Sequence, residues 1–249
     1  MNNLYNFTGK KYIVTGASSG IGRSTAILLS QQGAQVVLIA RDKERLEETR
    51  SAMEGDNHQI ISADLGEMED MTELFNTMVA DGKKLDGLVH CAGMSYVMPL
   101  NRLKRNNMEE CMRINFYAFL ELTRLYAKKK YGNKGSIVAV SSLAATRPEK
   151  CQTLYAASKG ALNSAVQSLA IELAAKEIRV NSIMPGFVNT KMMEMEEEIF
   201  PNEKLKESME RQLLGITEPE EIAKAILFLL SEASGVITGR ALCADGGWL

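Results

Sequence analysis

Short apolar runs rich in β-branched residues recur along the chain: YIVTG, AQVVLIA, HQIISA, DGLVHCAG, GSIVAVSS, IRVNSIMPG and ALCADGG. Between them lie segments whose apolar positions repeat with helical period, such as GRSTAILLSQQ and DMTELFNTMVAD. Continuous apolar strands are buried on both faces, and strands that alternate with helices need crossover connections. The pattern therefore predicts an α/β fold, doubly wound, with about seven mostly parallel strands and helices on both faces. No repeat or low-complexity linker divides the 249 residues, which suit one domain over 1–249. The alternation breaks at TKMMEMEEEIFPNEKLKESMERQLLG, residues 190–215. This Met- and Glu-rich stretch reads either as a solvated helix pair or as a lid over a substrate.

Composition narrows the function. A formal net charge of −2 offers no broad field for nucleic acid. No run approaches the roughly 18 apolar residues that span a bilayer, and the opening MNNLYNFTGKKYIVTG lacks a basic segment followed by an apolar one. The expectation is a soluble, cytoplasmic protein without membrane contact. Cys91, Cys111, Cys151 and Cys243 are far apart with no C-x-x-C pair, which predicts buried free thiols. His58 and His90 are the two histidines, too few for a His-rich metal site, so no metal is expected.

Two motifs carry chemistry. In VTGASSGIGRSTAILL, Gly16, Gly20 and Gly22 lie where a strand turns into a helix, and without Cβ atoms they let a pyrophosphate approach the helix N-terminus. GASSG also satisfies G-x-S-x-G, with Ser18 as a would-be hydrolase nucleophile. That chemistry needs a histidine late in the chain, and none follows His90. In TLYAASKGALNSAVQSLAIELA, Tyr155 and Lys159 share one helix face. A phenol with a pKa of about 10 is a poor acid or base at neutral pH, and a neighbouring ammonium lowers that value.

TGASSGIG, CAG, Asn115 in MRINFYAF, Ser142 in VAVSS, YAASK, PGFVNT and ITGRALCADGG agree in order and spacing with the short-chain dehydrogenase/reductase family. The resemblance covers essentially the whole chain and implies a Rossmann domain that transfers hydride between nicotinamide and a small-molecule ketone or alcohol. It implies that Tyr155 exchanges a proton with the substrate oxygen and that Ser142 hydrogen-bonds that oxygen. Lys159 would hold the cofactor ribose, and Asn115 a water linking Lys159 to solvent. The implied cofactor site comprises Gly16, Ser18, Ser19, Gly20, Ile21, Gly22, Arg41, Asp64, Leu65, Ala92, Gly93, Tyr155, Lys159, Pro185, Gly186, Val188 and Thr190.

At the end of the second strand Ala40 stands where an acid would select NAD, and Arg41 follows, which favours NADP (NADPH) over NAD. Alternatively, Arg41 pairs with Asp42 or Glu44. Asp64 resembles the family's adenine contact and is also suited to cap a helix beginning at GEMEDM. One departure is HCAG, where His90 and Cys91 replace the usual amides, and altered packing is expected there rather than lost chemistry.

The family implies a homo-oligomer, dimer or tetramer. The alternative function is 3-oxoacyl-[acyl-carrier-protein] reduction, whose acidic partner calls for basic residues near the site. Lys128, Lys129 and Lys130 precede the Ser142 strand as a possible carrier-phosphate site, but Ile171 occupies a position where a docking arginine is expected, and EMEEE would repel an acidic partner. A non-catalytic nucleotide-sensing protein would need no Ser142, Tyr155 and Lys159 in register.

Overall fold

The structure, a computed structural model, describes residues 5–68, 70–199 and 203–249. Among these, the strands are β1 (Lys11–Thr15), β2 (Gln35–Ala40), β3 (Gln59–Ser62), β4 (Leu85–His90), β5 (Gly132–Val140), β6 (Ile178–Pro185) and β7 (Ala241–Ala244). The helices are α1 (Gly20–Gln31), α2 (Lys43–Ser51), α3 (Thr72–Met78), α4 (Arg105–Met112), α5 (Ala118–Tyr126), α6 (Thr153–Leu173), α7 (Lys191–Ile199), α8 (Glu203–Glu210) and α9 (Pro219–Leu230). Each apolar run of the sequence is a strand. They form one sheet, ordered β3-β2-β1-β4-β5-β6-β7. Every pairing is parallel, where the sequence suggested mostly parallel.

Side chains alternate across the strands, so neighbours in sequence enter different cores. Ile13, Val37, Ile39 and Ile137 pack beneath α3, α5 and α6, with Phe75, Phe119 and Leu162. Tyr12, Val14, Val36, Leu38 and Val138 pack beneath α1, α2 and α9, with Leu29, Leu46 and Ile226. Each such fully buried side chain contributes about 1.5–3 kcal/mol, which is why the strands are apolar on both faces. Thr15 stands opposite Ile39 and His90, and His90 opposite Ala139, so four strands end at one level. The chain winds outward in opposite directions from β1 and β4, and their carboxyl ends open a crevice.

Several expectations are corrected. Asp64 does not cap a helix: its Oδ1 accepts from the Gly66 amide at 2.9 Å, and α3 begins later, at Thr72. Arg41 faces Asp64 at 3.7 Å rather than Asp42 or Glu44, while Asp42 caps α2 by accepting from the Arg45 amide. The cysteines are free, but they are not all buried: Cys111 is buried, Cys91 and Cys151 are half-buried, and Cys243 is exposed. Lys128–Lys130 lie before β5, and Ser142 lies beyond its other end, roughly 30 Å away for nine extended residues. Lys130 instead donates to Asn76 Oδ1 at 2.7 Å. In the 190–215 stretch, α7 and α8 form a helix pair, while 200–202 lie outside the described residues. Among the described residues no helix is long and apolar enough to cross a membrane.

Candidate active site

A cleft of about 550 Å³ runs along the carboxyl ends of the strands. It is lined by all the residues expected to hold a cofactor, from Gly16 to Thr190, and by Ser142. One end lies beside Arg41 and Asp64, and the other beside Ser142, Tyr155 and Trp248.

The two helices that begin in this region differ in one respect. At α2, Asp42 caps the first turn and Glu44 lies within it. At α1, the Ser19 side chain makes no cap, and the first turn holds no acid. Its first N–H groups are therefore unsatisfied by side chains and carry the positive end of the helix dipole, a fit for an anionic group. Gly22 keeps the turn closed: a Cβ there would lie within van der Waals exclusion of the Gly16 carbonyl. Thr190 packs beside Gly20, so the segment after β6 closes over the same turn.

At the other end, Tyr155 and Lys159 sit on the first turns of α6 and are both buried. Lys159 Nζ donates to the Val140 carbonyl at 2.8 Å and lies 5.8 Å from the Tyr155 ring centroid. Burial pulls its ammonium down from 10.5 to about 8. Ser142 Oγ accepts from the Ala144 amide at 3.1 Å, which leaves the hydroxyl proton to be donated elsewhere.

Asn115 is fully buried behind this group and does not line the cleft. It lies in a π-helical turn, Arg113–Tyr117, between α4 and α5, a local widening frequent at functional sites. Its Oδ1 accepts from the Met94 amide at 2.8 Å. Its Nδ2 donates to the Met94 carbonyl at 3.0 Å and to Ser158 Oγ at 2.9 Å. The amide thus braces the loop after β4 against the start of α6.

His90 also braces. Thr15 Oγ1 accepts from the Ala92 amide at 3.0 Å and lies 3.1 Å from His90 Nδ1. The hydrogen bond between hydroxyl and imidazole ties the end of β1 to the end of β4. Burial, with the nearby Lys159 charge, pushes the ring down to about 3, so it is neutral at working pH. Burial pushes the adjoining Cys91 thiol up to about 12, so it lines the cleft as a protonated, inert group.

Arg45, Glu110, Arg147 and Trp248 also line the cleft, and no motif marked them; Met192, Met193 and Ser208, from the 190–215 stretch read as a possible lid, line it too. The one available signal was that Trp248 is the single tryptophan.

Comparison with known proteins bears on the chain as a whole. The profile of a family described as Enoyl-(Acyl carrier protein) reductase matches residues 16–249. The chain is 35% identical over 244 residues to the uncharacterized oxidoreductase YmfI of Bacillus subtilis (strain 168), covering 96% of this chain and 98% of that one. It is 33% identical to carbonyl reductase family member 4 of Danio rerio (94% and 96% covered). It is 32% identical to 3-oxoacyl-[acyl-carrier-protein] reductase FabG of Thermotoga maritima (96% and 97%). Among solved structures, a short-chain type dehydrogenase/reductase from Mycobacterium ulcerans superposes with a TM-score of 0.86 at 27% identity, covering 98% of this chain and 90% of that one. A protein from Beutenbergia cavernae with bound NADP at low occupancy superposes with a TM-score of 0.88 at 28% identity, with 99% of each chain covered.

Proposed function

Because the chain belongs to the short-chain dehydrogenase/reductase family of oxidoreductases, we propose that it is an NADP(H)-dependent carbonyl reductase or alcohol dehydrogenase for a small-molecule ketone or alcohol. The observation that carries this reading is Lys159. It is a buried ammonium hydrogen-bonded to a carbonyl, with no carboxylate partner among the described residues, and it sits beside the Tyr155 phenol. Burying such a charge costs several kcal/mol, and the neighbouring phenol supplies a reason to keep it.

The residues present fit a dinucleotide. The uncapped start of α1 suits its pyrophosphate. Ala40 presents no carboxylate to a 2′-phosphate, and the Arg41 side chain is 79% exposed at the same end of the cleft. Bound there, the nicotinamide supplies the hydride. Tyr155 gives its proton to the substrate oxygen. The Lys159 ammonium favours the phenolate that Tyr155 leaves behind. Ser142, its oxygen already occupied by the Ala144 amide, donates to the same substrate oxygen as charge develops on it. Asn115 keeps Met94 and Ser158 in position around Lys159. The protein is read as a cytoplasmic homo-oligomer.

Carrier-protein reduction is the second reading, favoured by the FabG relative. Against it, Ile171 is 81% exposed where a docking cation is expected, and Lys128–Lys130 lie at the wrong end of β5. The test is to mix the protein with NADPH or NADH and a panel of ketones, acyl thioesters and carrier-bound acetoacetyl groups, and follow absorbance. Oxidation of NADPH by small ketones supports the proposal. No oxidation with any carbonyl sinks it, and a large, salt-sensitive preference for the carrier-bound group moves the second reading to first.

A further inference from the structure

The end of the sheet remote from the cleft carries a concentration of positive charge. Lys83 and Lys84 precede β4, Lys128, Lys129 and Lys130 precede β5, and Lys176 precedes β6. Parallel pairing sets these segments side by side: the Leu85 amide donates to the Tyr131 carbonyl at 2.9 Å, and Gly135 stands opposite Ile178. Lys176 Nζ donates to the Ala127 carbonyl at 2.9 Å, which ties the third segment to the second. All of these lysines are exposed, and none makes an ion pair among the described residues.

The acids at this end do not cancel them. Asp81 pairs with the buried Lys11 at 2.8 Å, Asp86 accepts from the Lys11 amide and the Asn133 side chain, and Glu177 faces Lys134 at 3.4 Å. Glu172, in the last turn of α6, accepts from Ser168, and Asp70 lies within electrostatic reach of Lys128. Helices α3, α5 and α6 also end here, and a helix C-terminus attracts cations. Each such end carries only about half a negative charge, so the dipoles account for about one or two of the lysines. In a chain of net charge −2, cations are gathered at this one end.

The residue types indicate what the patch can hold. Stretches 81–84, 127–134 and 174–177 contain no arginine, and their one aromatic residue, Tyr131, is buried. Protein interfaces and single-stranded nucleic acids are held chiefly by arginine and aromatic anchors, and base-edge reading in duplex DNA leans on arginine forks. A bilayer of anionic head groups needs neither, because each ammonium brought near its surface adds to binding.

We propose that the amino ends of β4, β5 and β6 form an electrostatic docking surface for an anionic lipid bilayer, with the cleft at the carboxyl ends left facing water. The contact is peripheral and independent of the reaction assigned to the cleft. The test is cosedimentation of the full chain with vesicles of phosphatidylcholine and phosphatidylglycerol, against phosphatidylcholine alone. Wild type should bind the mixed vesicles at low salt and stay in solution with the neutral ones. Salt of about 1 M, where the Debye length is about 3 Å, should release it. Reversing three charges together, with Lys83→Glu, Lys84→Glu and Lys129→Glu, should lower the partition coefficient at least about tenfold, with Tm and NADPH binding unchanged. Gln at the same three positions should give a smaller loss in the same direction, which keeps the test open if the reversal does not fold. Lys43→Glu with Lys150→Glu, at the other end of the sheet, should bind as wild type; an equal loss there would make net charge, not the patch, responsible and overturn the proposal. Failure to bind anionic vesicles at low salt overturns it, as does equal binding to neutral ones. Retention on heparin or on an acidic protein without vesicle binding also overturns it and assigns the lysines to another polyanion.

Discussion

The two ends of the cleft are built differently. The cofactor end is made of backbone: glycine turns and strand ends, each set by residues adjacent in sequence, at the edge of a rigid parallel sheet. The substrate end is made of side chains from the loop after β5, the segment after β6, α8 and the 245–249 segment, which meet through tertiary contacts alone. Local backbone geometry leaves little tolerance for substitution, whereas a wall of side chains can change its contents without disturbing the sheet.

Tyr155 stands where the ends meet, and its loss should have the largest effect. Tyr155→Phe removes the proton donor and keeps the ring; kcat should fall at least about a hundredfold with NADPH binding little changed. Steady-state rates beside a binding titration test this, and activity within a few fold of wild type would remove Tyr155 from its role.

Gly22→Ala strikes the cofactor end, where the new Cβ meets the Gly16 carbonyl. It should cost about 1–3 kcal/mol of stability and weaken NADPH binding. Met193→Ala, at the partly exposed substrate end, should change stability by no more than about 0.5 kcal/mol while shifting KM. Denaturant titration of both variants measures the asymmetry, and equal losses would abolish the distinction between the ends.

Arg41→Ala should weaken NADPH by about 1 kcal/mol and leave NADH nearly untouched, as competitive titration would reveal. The effect belongs at the low end of the range for a charge-assisted bond, because Arg41 is largely exposed and already faces Asp64. A variant that loses NADH as badly would make Arg41 structural.

Two further effects are in pH. His90 has a folded value of about 3 against 6.5 unfolded, so between these the unfolded chain binds a proton that the native state refuses. Stability should therefore fall as pH drops below 6.5, by at most about 1.4 kcal/mol per unit. His90→Asn should remove that part of the slope; an unchanged slope would mean that the ring is not held neutral. Lys159, at about 8, should lose its charge above that pH, and ketone reduction should decline there. A profile flat to pH 10 would show that the ammonium does not assist Tyr155.

Much of the fold was legible in local pattern. The seven apolar runs are the strands, and the spacing of Tyr155 and Lys159 puts both on one face of α6 because helical periodicity is a local property. Asp64 was misread as a helix cap because a carboxylate that turns the chain and one that starts a helix look alike until the helix is seen to begin at Thr72. Asn115 was marked by its motif, yet its two-sided grip on Met94 was not legible, since the partner lies 21 residues away in the chain.

The sequence by itself therefore determined what depends on neighbours along the chain: the alternating strands and helices, the open start of α1 and the paired Tyr155 and Lys159. Tertiary structure alone decided what depends on distant residues meeting. It joined Arg147, Ser208 and Trp248 into one wall, gave Lys159 a carbonyl in place of a carboxylate, turned Arg41 toward Asp64, and separated Lys128–Lys130 from Ser142 by the length of β5. The physical reason is that hydrophobic periodicity and turn chemistry act over a few residues. Burial, desolvation and the pairing of polar groups are set by which segments the sheet brings together.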